Sequence, residues 1–108
     1  MKKEFKVIAD LLPSNTRVLD VGCGDGSLMN LLKEEKNIEV RGLELSQDNV
    51  QQCIHKGLPV IQGNAETELH QFPDQSFDYV ILSQTLQAFY KPEEVLKNLL
   101  RIGKSVIV

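Results

Sequence analysis

Apolar positions along the chain follow two rhythms that change places several times. Phe5, Ile8, Ala9 and Leu12 recur at i, i+3, i+4 and i+7, one face of a short amphipathic helix that Pro13-Ser14-Asn15 ends. Arg17-Val18-Leu19-Asp20-Val21 is a compact β-prone run closed by three glycines at alternate positions, Gly22, Gly24 and Gly26, and reads as a buried strand entering a tight turn. Leu28, Leu31 and Leu32 then restore helical spacing, and Ile38 to Leu45 is strand-like again. Ser46 can cap a helix carrying Val50, Cys53 and Ile54 on one face, with His55 and Lys56 in its last turn and Gly57 past its end. A strand from Leu58 to Gln62 follows, then a polar segment with Pro73 and Asp74, then a strand from Phe77 to Leu82. Pro92 opens a helix whose Val95, Leu96, Leu99 and Leu100 face one way before Gly103, and Ser105 to Val108 forms a last strand.

Val18, Val40, Val60, Val80 and Val106 mark strands 20 to 26 residues apart, the spacing of right-handed βαβ crossovers. The pattern predicts a doubly wound, parallel α/β sheet of five strands. Val106-Ile107-Val108 is an apolar strand at the end of the chain, where an edge is normally covered or charged. The expectation is a C-terminally incomplete domain, or a homodimer that hides this edge.

Ligands of open parallel sheets bind beyond the carboxyl ends of the strands, which directs attention to the residues just after each one. The first strand is followed by Gly22-Cys23-Gly24-Asp25-Gly26, where missing side chains let a ligand approach the backbone. Glu44 ends the second strand, 22 residues beyond Gly22, where a carboxylate can accept hydrogen bonds from both hydroxyls of a ribose. Together they point to an adenosine-type ligand. The Gly-x-Gly-x-Gly spacing departs from the Gly-x-Gly-x-x-Gly dinucleotide fingerprint and lacks the Lys-Ser/Thr of a phosphate loop, which disfavours a nicotinamide dinucleotide module.

Composition narrows the function further. The 108 residues are 42% hydrophobic and 25% charged, enough for one globular domain and too few for two. Twelve Lys plus Arg against fifteen Asp plus Glu give −3 with the basic residues scattered, so no nucleic-acid partner is expected. No apolar run reaches the length of a membrane span and no signal-type stretch follows Met1-Lys2-Lys3-Glu4, which predicts a cytoplasmic protein with no membrane partner. Cys23 and Cys53 are too few and too far apart in sequence for a disulfide framework or a paired zinc site, and no metal is expected.

In Val18-Leu-Asp-Val-Gly-Cys-Gly-Asp-Gly26, Glu44, Gly63-Asn-Ala-Glu66 and Phe77-Asp-Tyr-Val-Ile-Leu82 the chain resembles the class I S-adenosylmethionine-dependent methyltransferases. More narrowly, Gly57-Leu-Pro-Val-Ile-Gln-Gly63, Ser76-Phe-Asp-Tyr-Val-Ile-Leu-Ser-Gln-Thr-Leu-Gln87 and Pro92-Glu-Glu-Val-Leu96 make it similar to the methionine biosynthesis protein MetW family, over nearly its whole length. The resemblance implies a Rossmann-like methyltransferase fold without its C-terminal strand pair, and a single S-adenosylmethionine-binding domain over residues 1–108. It implies that Asp20 and the turn, Gly22, Cys23, Gly24 and Gly26, hold the methionine part of S-adenosylmethionine. Glu44 would then bind the ribose, with Leu45 beside it, and Asn64 with Ala65 the adenine. Ser83 and Gln84 would border the sulfonium and a small-molecule acceptor of unknown identity, and S-adenosylhomocysteine would be the product. Position 64 is Asn where such proteins more often have Asp, so it can accept a hydrogen bond from an adenine amino group but brings no charge. A second implication is a noncatalytic, cofactor-sensing partner of a homoserine O-acyltransferase, since Ser83, Gln84 and Thr85 supply no convincing base.

The other polar residues read as structural. Asp25 stands at a helix entry, where a carboxylate is stabilised by the positive end of the dipole. Asp78 lies at the start of its strand, away from the expected site, and Cys23 with no partner nearby in sequence reads as a small packing residue. His55 and His70 lack metal-ligand spacing, and Tyr79, Phe89 and Tyr90 read as packing groups.

Overall fold

A computed structural model describes residues 2–84 and 86–108. Its five strands are β1 (Arg17–Val21), β2 (Glu39–Glu44), β3 (Val60–Gln62), β4 (Phe77–Leu82) and β5 (Gly103–Ile107), joined in the order β3-β2-β1-β4-β5 with every pairing parallel. Beside them run the helices α1 (Lys3–Leu11), α2 (Ser27–Lys36), α3 (Gln47–His55), α4 (Ala65–Glu68) and α5 (Pro92–Ile102). The chain leaves β1 towards β2 and β3 on one side and later returns to place β4 on the other. The boundary between β1 and β4 is therefore the topological switch point, where a crevice opens at the strands' carboxyl ends.

Alternation along β1 divides the core. Val18 packs with Ala9 and Leu12 of the α1 segment, Leu28, Met29, Leu31 and Leu32 of α2, and Cys53 of α3. Leu19 and Val21 point the other way, to Ala65, Leu69, Val95, Leu99 and Ile102. Successive residues of a strand face opposite sides, so Asp20 shares the α1/α2 face with Val18.

The periodic elements lie where the hydrophobic pattern predicts them, with four differences. Ile54 and Leu100 face solvent: the contact stripes run through Val50 and Cys53 on α3 and through Val95, Leu99 and Ile102 on α5, and the next residue is turned about 100° away. Tyr90 is 95% exposed and packs against no core, whereas Phe89 is buried. β5 starts at Gly103 because α5 passes directly into it. The segment read as polar contains α4 and a 3₁₀ turn, Leu69–Gln71.

Arg101 of α5 holds that segment in place. Its Nη1 donates to Phe72 O at 2.7 Å and Asp74 Oδ1 at 2.8 Å, and its Nη2 to Leu69 O at 3.1 Å. Arg101→Leu removes the donors while leaving two part-buried carbonyls without them. A loss of about 2–3 kcal/mol is expected, read as a lower urea midpoint with an unchanged slope.

Candidate cofactor site

The site grows out of the β1 end. Val21 and Leu82 are register partners, and Ser83 N donates to Val21 O at 2.8 Å, so Ser83 arrives beside the start of the glycine turn. Its Oγ donates to Asp20 Oδ1 at 2.5 Å across a separation of 63 residues. Asp20 is 1% exposed, and burial pushes its carboxyl up to about 6; the Ser83 hydrogen bond opposes that shift and the nearby Glu44 charge adds to it. Among the described residues none of these influences is cationic. A buried carboxylate without a positive partner is costly to keep ionised, and a cationic ligand would relieve that cost.

The turn needs its glycines for two reasons. Gly24 has φ +60, and a Cβ there would meet nothing within 4 Å, so its backbone faces open space. Gly22 has φ +77, and a Cβ there would lie 2.5 Å from Gln84 Oε1, so the Gln84 side chain rests over the turn. Glu44 anchors the turn from β2. Its Oε1 accepts from Gly24 N at 2.8 Å and its Oε2 from Ser46 N at 3.0 Å, and each oxygen retains a second acceptor site. Asp25 behaves as a capping carboxylate: its Oδ1 accepts from Ser27 N and Ser27 Oγ, which hold it below the usual carboxylate range. Asp78 is structural, accepting from Arg17 N at 2.8 Å with Lys104 Nζ at 3.4 Å.

A cavity of about 930 Å³ opens here, with Asp20, Gly22, Gly24 and Ser83 on the strand side and Phe5 and Ile8 of α1 opposite. That size suits a small-molecule ligand. Among the residues singled out from the sequence, Asp20, the turn, Glu44 and Ser83 are joined by hydrogen bonds or direct chain continuity. Leu45 stands exposed beside Glu44. Asn64 and Ala65 lie beyond β3, linked to this group through Gly63 N, which donates to Glu44 O at 3.0 Å. Asn64 Oδ1 already accepts from Glu66 N at 2.9 Å as the cap of α4, and Ala65 is buried in the core. Thr85 lies outside the described residues.

Sequence reasoning missed three features. The α1 wall had an amphipathic pattern but nothing to direct it to the site. Glu66 accepts from Tyr90 N and Lys91 N, tying α4 to the start of α5. Cys23 and Cys53, distant in sequence, have their sulfurs 3.9 Å apart. Among the described residues no group of three or more His, Cys, Asp or Glu side chains could hold a metal ion, and no helix is long and apolar enough to cross a membrane.

A parallel sheet with its switch point beside a glycine turn, and an acidic residue closing the next strand, defines a Rossmann-like domain of the methyltransferase type. Two solved structures agree. A SAM-dependent methyltransferase from Thermotoga maritima superposes with a TM-score of 0.74 at 30% identity, covering 93% of this chain and 44% of that one. The [4+2]-cyclase SpnF superposes with a TM-score of 0.81 at 23% identity, covering 94% and 40%, and speaks to the fold alone. The family model described as methionine biosynthesis protein MetW matches residues 2–108, and the chain belongs to that family. It is 33% identical over 109 residues to the bifunctional methionine biosynthesis protein MetXA/MetW of Rhodopirellula baltica, covering 94% of this chain and 18% of that protein. The chain spans well under half the length of the curated relatives it matches.

Proposed function

We propose that this chain binds S-adenosylmethionine in the cavity at the β1–β4 crevice and presents its methyl group to a small acceptor. The observation that carries this reading is Asp20, a buried carboxylate whose side-chain partner among the described residues is the Ser83 hydroxyl, facing a cavity lined by the half-buried backbone of Gly22 and Gly24. S-adenosylmethionine fits that chemistry, bringing an ammonium and a sulfonium and, when bound, an electrophilic methyl group. Asp20 and the turn would hold the amino-acid part, Glu44 the ribose through its remaining acceptor sites, and Leu45 and the Asn64 region the base. Ser83 fixes the Asp20 carboxylate, while Phe5 and Ile8 of α1 exclude water from the opposite side. Displacement at a methyl group gains chiefly from orientation and dryness, which these residues supply without a general base.

A second reading has its own support. The Rhodopirellula baltica protein is named for MetXA and MetW together, and the residues that follow β4, Ser83 and Gln84, bring a hydroxyl and an amide to the site. Neither takes a proton readily at neutral pH. On that reading this chain senses the cofactor and adjusts a homoserine O-acyltransferase partner without transferring methyl.

Calorimetric titration with S-adenosylmethionine and S-adenosylhomocysteine tests what the two readings share. Saturable binding at one site per chain is expected, and absence of binding by either compound would remove both. Methylated product formed over many turnovers would select the first reading. An acyltransferase rate that changes with this chain and with cofactor would select the second.

A further inference from the structure

The fold brings together two cysteines that the proposed chemistry does not use. Cys23 sits between Gly22 and Gly24 in the turn, and Cys53 is buried on α3. Their Sγ atoms, 3.9 Å apart, are in van der Waals contact. Cys53 Sγ donates to Gly24 O at 3.3 Å, and Cys23 Sγ lies 3.8 Å from the same oxygen. Two other glycines make room for the pair. A Cβ on Gly42 would lie 2.7 Å from Cys23 Sγ, and one on Gly26 would lie 3.0 Å from Cys53 Sγ. Burial raises both thiols above their ordinary range, so they stay protonated at neutral pH and resist bulky reagents. Cys23, 7% exposed, nevertheless forms part of the cavity wall, the route a small oxidant would take to it.

We propose that Cys23 and Cys53 are a redox pair: a peroxide-class oxidant converts them to an intramolecular disulfide that displaces the glycine turn and lowers cofactor affinity. The second half rests on the reading of the cavity as a cofactor site. The small fraction of Cys23 present as thiolate attacks one peroxide oxygen, so that an S–O bond forms, the O–O bond breaks, and the departing hydroxide takes up the proton the thiol released and leaves as water. The sulfur of Cys53 then displaces the hydroxyl from the Cys23 sulfenic acid, forming the S–S bond and releasing a second water with its own proton. Two thiols are oxidised and one peroxide is reduced to two waters. A disulfide bond is about 2.05 Å long, so the sulfurs must close by roughly 1.9 Å. Both S–H donors vanish, and Gly24 O loses the hydrogen bond from Cys53 while the other side of the same residue is held by Glu44. The movement therefore falls on the stretch of backbone that the cofactor is to contact.

Reduced protein treated with hydrogen peroxide, then unfolded, alkylated and digested is expected to yield a Cys23–Cys53 crosslinked peptide pair lacking two hydrogen atoms. Dithiothreitol should reverse it, and Cys53→Ser should abolish it. Amide exchange across residues 22–26 should rise in the oxidised form, and its affinity for S-adenosylmethionine should drop about tenfold or more, recovering on reduction. Recovery of both cysteines alkylated, or of crosslinks between chains only, overturns the pairing. A crosslink with unchanged exchange and unchanged affinity overturns the displacement. If the reduced protein binds no S-adenosylmethionine, the cofactor reading fails, and the redox pair stands or falls on the crosslink and the exchange.

Discussion

Asp20→Asn is expected to stabilise the ligand-free protein at neutral pH and at the same time to weaken its hold on S-adenosylmethionine. The carboxyl is held at about 6 in the folded chain against an ordinary 3.8, so the folded state keeps the proton that the unfolded state releases. Stability therefore falls as pH rises from near 4 to near 6, and above that window the buried carboxylate carries the full cost, about 3 kcal/mol. Asparagine retains an acceptor for Ser83 Oγ and removes the charge. Asp25 and Asp78, both held low, act in the opposite sense, their contributions being lost as pH falls through their depressed values. The difference between the two proteins' melting curves isolates Asp20. It should be near zero at pH 4 and grow to about 10 °C at pH 7. Binding should show the reverse, with wild-type affinity rising as Asp20 ionises and the variant weaker by about tenfold to a hundredfold and flat with pH. A variant no more stable than wild type at pH 7 would contradict the account of the buried charge; a variant that binds equally well would detach Asp20 from the ligand.

Such a trade between stability and binding was only half visible in the sequence. That Asp20 stands before a glycine turn at a strand end followed from the run Val18 to Val21 and the alternate glycines. That its side chain is sealed against Ser83 depended on β4 lying next to β1, a pairing between residues 61 apart that no local pattern encodes. β4 itself was legible to the residue, because an apolar run bounded by Ser76 and Ser83 has few alternatives. α4 was not, because one helical turn with Ala65 as its apolar residue and Leu69 just past its end offers no period to detect. Its stability comes from outside, through the Asn64 cap, the contact of Glu66 with the start of α5, and the Arg101 guanidinium just beyond it. The contact between Cys23 and Cys53 escaped for the same reason as the Asp20–Ser83 bond: the β1–α2–β2–α3 path closes a distance that counting along the chain leaves open.

Glu44 presents the sharpest separation between structure and binding, because its carboxylate already has work in the ligand-free chain. Glu44→Ala leaves Gly24 N and Ser46 N without their acceptor and should cost about 2–3 kcal/mol in denaturant unfolding. Glu44→Gln, with one acceptor oxygen and an amide that cannot accept, should cost less than Ala and more than nothing. Loss of cofactor affinity in either variant does not by itself place Glu44 on the ribose, since a loosened turn would weaken binding too. A double-mutant cycle resolves this with the ligand as the second partner. S-adenosylhomocysteine and its 2′-deoxy analogue are titrated into wild type and Glu44→Ala. If Glu44 accepts from the ribose, removing the 2′-hydroxyl should weaken binding by about tenfold in wild type and scarcely at all in the variant. An equal penalty in both proteins would leave Glu44 as an anchor of the glycine turn and move ribose recognition elsewhere.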